Sequence, residues 1–245
     1  MVSFKEIIAR VKDSFGFNKA ELLGLIAAII ATAIIFSFRD WGEDKFDLAL
    51  GLKSFFLVLL AAGLSFFFRL SCQKIYALSQ GYKAEFKVWW AGIIIALVIA
   101  LISAGRIPLV LIGGVVTVLF VRQRLGEFRY GLSFHENAVI SLWGIVGNMI
   151  LAIFFALGLY FVPHNYFFYK GLILNLIMAF CALLPLPQLD GLQIYFGSRW
   201  LYAFLVVAVL LGAVLLITGT RLGLIAAIAM GTIVGIIYIL KGSEV

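Results

Sequence analysis

The sequence predicts an all-α polytopic membrane protein, and three observations predict it. The chain is 64% hydrophobic and only 13% charged over 245 residues. Its apolar residues gather into recurrent runs of about 17 to 23, each long enough to cross a hydrocarbon core roughly 30 Å thick. Within those runs apolar and polar residues do not alternate as a membrane β-barrel requires. About six to eight crossings can be laid along the chain on that criterion.

Residues 1–21 carry Lys5, Arg10, Lys12 and Lys19 against Glu6, Asp13 and Glu21. Phe4, Ile7, Ile8, Val11 and Phe15 recur at helical spacing, which predicts a short amphipathic helix on the membrane surface rather than a cleavable signal. A single transmembrane domain is expected over 22–240, with a tail at 241–245.

Span one is expected over 22–38, followed by an acidic loop with Asp40, Glu43, Asp44 and Asp47. Span two starts near Leu48 and can continue helically through Ser79, with Gly81 ending it. Its second half holds Arg69, Ser71, Cys72, Gln73 and Lys74, polar residues where a simple span has none. Lys83, Lys87, Trp89 and Trp90 mark an interface, and span three follows over 89–104. Residues 107–121 read differently. Pro108 and the run Gly113-Gly114-Val115-Val116-Thr117-Val118 suit a β or re-entrant segment, which either crosses or dips and returns. Arg122, Arg124 and Arg129 come next, and further spans are expected over 138–162, 169–184, 201–218 and 222–240.

If residues 107–121 count as a crossing, the larger share of the 19 Lys and Arg falls on the N-terminal side. The positive-inside rule then puts the N-terminus in the cytoplasm of a multi-pass protein of the cytoplasmic membrane. The net charge of +7 reports such loops. No basic cluster with interleaved aromatics points to nucleic acid. Cys72 and Cys181 stand in apolar surroundings and read as buried thiols, not as a disulfide framework. The partner these features imply is the lipid bilayer; nothing in them sets an oligomeric state.

The chemistry-bearing stretch is Leu184-Pro185-Leu186-Pro187-Gln188-Leu189-Asp190-Gly191, at the end of an apolar run. Two prolines stop the helix, and an acidic residue follows at once. An ionisable residue at the end of a membrane-buried run is a functional candidate.

This Leu-Pro-x-Pro-x-Leu-Asp-Gly pattern resembles the third core helix of the site-2 proteases, intramembrane zinc metalloproteases whose third zinc ligand is the Asp of this motif. The segment from Ile140 to Asn148 resembles the second core motif, with Gly144 and Asn148 matching and Ile145 in place of Pro. The segment from Ala77 to Phe86 is similar to the one that follows the catalytic helix, above all in the archaeal branch. The resemblance covers most of residues 50–202 and implies a site-2-protease-like core.

It also implies a His-Glu-x-x-His motif over 69–73, in which two His bind zinc and the Glu acts as general base. Here that stretch is Arg69-Leu70-Ser71-Cys72-Gln73. Both His and the Glu are absent, and the Asn expected before the proline motif is Ala182. Asp190 alone keeps a ligand position, so no catalytic residue set is intact and no zinc is expected. The resemblance places Arg69 and Asp190 at one centre: either they form an ion pair in place of the metal, or Arg69 snorkels to the interface. His135 opens a partial motif that Val139 breaks, and His164 sits in a loop. A rearranged zinc set drawing on His135, Cys72, Cys181 or Asp190 is the alternative, and it would make the chain an active metalloprotease. A transporter would show paired broken helices in two related halves, and only Pro185 and Pro187 break a span clearly.

The first expectation is therefore a catalytically silent homologue that binds or regulates transmembrane segments of other proteins. Gly144, Asn148, Pro185, Pro187 and Gln188 are its groove candidates, with helix kinking and close packing as their other reading.

Overall fold

The computed structural model describes residues 4–42, 46–119, 133–220 and 222–229. In chain order it contains α1 (Phe4–Ser14), α2 (Lys19–Ser37), α3 (Leu48–Ser79), β1 (Tyr82–Val88), α4 (Trp90–Ile102), β2 (Gly113–Leu119), α5 (Phe134–Phe161), α6 (Tyr166–Leu183), α7 (Asp190–Gly197) and α8 (Arg199–Ile217). A helical stretch follows over 222–229.

Five of these helices are long and apolar enough to cross a membrane: α2, α3, α5, α6 and α8. Helix α4 corrects the expectation for residues 89–104. Its 13 residues rise only about 20 Å at 1.5 Å each, short of a hydrocarbon core. The strand expected within 107–121 is β2. Its partner β1 covers Lys83 and Lys87, which the charge pattern assigned only to an interface. The two pair antiparallel, Tyr82 with Leu119 through Val88 with Gly113. Strand β1 has mixed polarity, so its register depends on its partner more than on any alternation of its own. Helix α7 is a further correction, since residues 190–197 were not expected to form an element. Arg122, Arg124 and Arg129, the end of the last expected span and the tail 241–245 lie outside the described residues.

Helix boundaries have local causes. Asp47 caps α3, its carboxylate accepting from the amides of Ala49 and Leu50 at 2.9 and 3.1 Å. Ser133 caps α5 in a capping box with Glu136. Gly81 follows α3 at φ +83°, a conformation that favours glycine. Thr32 and Ser65 return their hydroxyls to the carbonyls of Ala28 and Ala61, so neither is an unmet donor at depth.

Helix α3 is the central element. Its buried residues are Gly51, Ser54, Val58, Ala61, Ala62, Ser65, Phe66, Arg69, Leu70, Gln73, Lys74, Ala77 and Leu78. That is one stripe at helical spacing. It begins apolar and small, which allows close packing, and turns polar over its last three turns. The periodicity that buries Val58 and Phe66 therefore also carries Arg69, Gln73 and Lys74 inward. The main core joins α2, α3, α4, the ribbon, α5 and α6, with Phe66, Leu70, Val115, Ile140, Leu174 and Met178 almost fully buried.

Asp40, at the far end of α2, accepts from Tyr166 Oη at 2.6 Å and Lys170 Nζ at 2.7 Å. This ties α2 to the start of α6.

Candidate functional site

The site forms where the polar end of α3 meets the turn after α6. Pro185 and Pro187 prevent α6 from continuing, and the chain closes tightly instead. Leu186 N donates to Leu184 O at 2.8 Å and Leu189 N to Leu186 O at 3.2 Å. Gln188 takes φ +68°. A Cβ on Gly191 would lie 2.2 Å from Leu183 O, so glycine lets the chain fold back against the end of α6. The turn delivers Asp190 as the first residue of α7, where the helix dipole favours a carboxylate.

Asp190 is fully buried. Its Oδ2 accepts from Arg69 Nη2 at 2.5 Å and from Gln73 Nε2 at 3.0 Å. Its Oδ1 takes a longer contact, 3.4 Å, from the amide of Val115 on β2. Arg69 is 6% exposed and Gln73 is buried. Arg69 and Gln73 lie one turn apart on α3, so both reach one carboxylate from the same face. Close approach is secured by glycines. A Cβ on Gly114 would sit 2.9 Å from Asp190 Oδ1, and one on Gly144 would sit 2.4 Å from Gln73 Nε2.

A second layer surrounds this cluster. Gln73 Nε2 also lies 3.4 Å from Ser141 O. Ser141 Oγ donates to Gln193 Oε1 at 2.9 Å, and Gln193 Nε2 donates to Val115 O at 3.0 Å. Val115 and Ser141 fall inside the segments 113–118 and 140–148 without being marked as site residues, and Gln193 lies outside every motif of the sequence. Ser141 stands one turn before Gly144 on α5 and Gln193 one turn after Asp190 on α7, so the 3.6-residue period, applied from the motif residues, reaches both.

The other expected residues separate. Gly144 and Asn148 are buried on the α5 face toward α3, whereas Pro185, Pro187 and Gln188 are exposed. The structure therefore does not gather these five into one lining. Asn148 is fully buried, and neither Nδ2 nor Oδ1 has a partner among the described residues. His135 is exposed on the first turn of α5, and His164 is exposed after its end at φ +64°. The two His stand 29 positions apart along a mostly helical chain, about 40 Å along the α5 axis. Cys181 is buried, its Sγ 3.5 Å from the Val110 amide, while Cys72 lies beside Gly147. On the ribbon, Tyr82 Oη donates to Glu136 Oε2 at 2.7 Å. Burial first, and the Glu136 carboxylate second, push the Tyr82 phenol up to about 12.

A relative in Methanocaldococcus jannaschii, described as a "putative zinc metalloprotease", is 26% identical over 193 residues, covering 77% of this chain and 90% of the relative. The chain is similar to that relative, and it carries five helices long and apolar enough to cross a membrane. Together they make it a multi-pass membrane protein similar to a protein described as a metalloprotease. No family profile and no solved structure matches it.

The Asp190 cluster can be tested against zinc by its donors. Catalytic zinc takes three N, S or O ligands from protein and keeps a fourth position open. Here Arg69 offers only a cation, Leu70 offers nothing, and the Gln73 amide nitrogen points at Asp190. One Asp190 oxygen is shared by a guanidinium and an amide, and the other faces the Val115 amide. Among the described residues no three His, Cys, Asp or Glu come together to hold a metal ion. These residues do not fit zinc. Nor do they offer a free base: Leu70 is apolar, and both Asp190 oxygens already accept from Arg69, Gln73 and the Val115 amide.

Proposed function

We propose that this protein keeps a site-2-protease-like scaffold in which an Arg69–Asp190 ion pair, buttressed by Gln73, stands where zinc would be. It acts by binding, holding or delivering transmembrane segments of other proteins and does not hydrolyse them. The observation that carries this reading is the 2.5 Å contact of Arg69 with Asp190 inside a buried site. A guanidinium at a ligand position supplies positive charge to Asp190 without a Lewis acid or an activated water. Hydrolysis at a metal centre needs both, together with a base within reach. The excess of Lys and Arg on the N-terminal side supports a cytoplasmic N-terminus.

A second reading rests on the description of the M. jannaschii relative: a working metalloprotease whose ligands include Asp190, Cys72 or His135. Zinc stoichiometry of the detergent-purified protein, with Asp190→Ala as control, separates the two. The expected result is far less than one zinc per chain in both proteins. A value of about one per chain that falls in the variant would overturn the proposal.

A further inference from the structure

The two-stranded ribbon has two outer edges, and in lipid or protein interior an open edge leaves backbone groups unmet. Antiparallel pairs alternate between those that exchange hydrogen bonds and those whose N–H and C=O point outward. Trp89 N donates to Ile112 O at 2.7 Å, which makes that pair a bonded one. The ladder register places Phe86 opposite Val115, three steps away. Both residues therefore turn their backbone groups outward, in opposite directions.

Each of these two outward amides meets a carboxylate. On the β2 side, Val115 N faces Asp190 Oδ1, and Gln193 Nε2 covers Val115 O. On the β1 side, Phe86 N donates to Glu21 Oε1 at 2.8 Å. Glu21 comes from the first turn of α2 and is 5% exposed. Its partner is Lys74, whose Nζ lies 2.8 Å from Oε1 and also donates to Gly16 O at 2.9 Å. Lys74 Nζ further sits 4.5 Å from the Phe17 ring centre. The two carboxylates thus close opposite edges at one cross-strand pair. Both are neutralised by cations of one helix, Arg69 and Lys74 of α3.

From this arrangement we infer that α3 clamps the ribbon shut. Glu21 and Asp190 act as edge stoppers held in place by Lys74 and Arg69, and an extended partner reaches either edge only after its stopper withdraws. The clamp goes beyond the proposed function, because it concerns the state of the ribbon and not the loss of zinc.

Amide hydrogen exchange of the full chain in nanodiscs, read at single residues by electron-transfer fragmentation, tests it without any activity readout. In the unaltered protein Phe86 and Val115 exchange about tenfold or more slowly than Ala84, whose outward amide meets no carboxylate among the described residues. Charge-neutral double substitutions avoid stranding a buried ion. Glu21→Leu with Lys74→Met speeds exchange at Phe86 about tenfold or more and leaves Val115 at its original rate. Asp190→Leu with Arg69→Met does the reverse. Equal rates at Ala84, Phe86 and Val115 in the unaltered protein would overturn the clamp even if neither double variant folds. So would a facing amide that stays slow in its double variant, or a rise at both edges in each.

Discussion

Replacing Asp190 with leucine leaves Arg69 charged, 6% exposed and without its partner. Breaking a buried ion pair from one side costs about 3–5 kcal/mol, most of it the uncompensated charge. Gln73 Nε2 and Val115 N lose the same acceptor. Each orphaned buried donor would add about 1–3 kcal/mol if it found nothing else, and the terms overlap because they share one carboxylate. Asp190→Leu is therefore expected to lose about 4 kcal/mol or more. Arg69→Met should lose a comparable amount, by leaving the carboxylate with amide donors alone. The double variant removes both charges and fills similar volume, so it should recover to within about 2 kcal/mol of the original protein. The assay is reversible unfolding in mixed micelles by titration with sodium dodecyl sulfate, followed by tryptophan fluorescence. A double variant whose loss equals the sum of the singles would refute the pairing. A charge-swapped protein (Arg69→Asp with Asp190→Arg) that fails to recover the protein level lost by either single variant would point the same way.

Further outcomes follow from the geometry. Arg69→His with Gln73→His puts two imidazoles one turn apart, both facing Asp190, and should raise bound zinc to about one per chain, measured by elemental analysis; Arg69→Ala with Gln73→Ala should bind none. Gly144→Ala places a Cβ 2.4 Å from Gln73 Nε2, and the same unfolding titration should show a loss of about 1–3 kcal/mol. Gly191→Ala should be worse, because its Cβ meets the Leu183 carbonyl at 2.2 Å and backbone cannot swing aside. Asn148→Leu should leave stability unchanged or raise it by about 1 kcal/mol, because the native side chain buries a donor and an acceptor with no partner among the described residues; a loss above about 2 kcal/mol would show that Asn148 meets a polar group inside the protein.

Helix existence was legible because burial in lipid demands length and apolarity, both of which are local. The expected span from Leu48 through Ser79 agrees with α3 at both ends. The spans expected from 138 and 169 start only a few residues after α5 and α6, whose capping residues Ser133 and Asn165 are ordinary polar residues in a list. Strand β1 was hidden for a different reason. Tyr82 to Val88 is a short stretch of mixed polarity, and its strand character comes from β2, thirty residues away. Glu21 and Lys74 looked like an interface charge and a polar intrusion; nothing near either one announces the other across 53 residues.

The sequence by itself determined that this chain carries runs long and apolar enough to cross a membrane, where most of its long helices run, and that Arg69 and Gln73 stand one helical turn apart in one of them. Those are matters of composition, length and spacing. Tertiary structure decided what the remaining polar residues do. A buried charge in such a chain is tolerated only beside its counter-charge, and counter-charges can come from any part of the sequence. Asp190 meets Arg69 across 121 residues, because a proline turn aims one while a helical stripe aims the other. The same packing brings the ribbon between two carboxylates, an arrangement that no local pattern encodes.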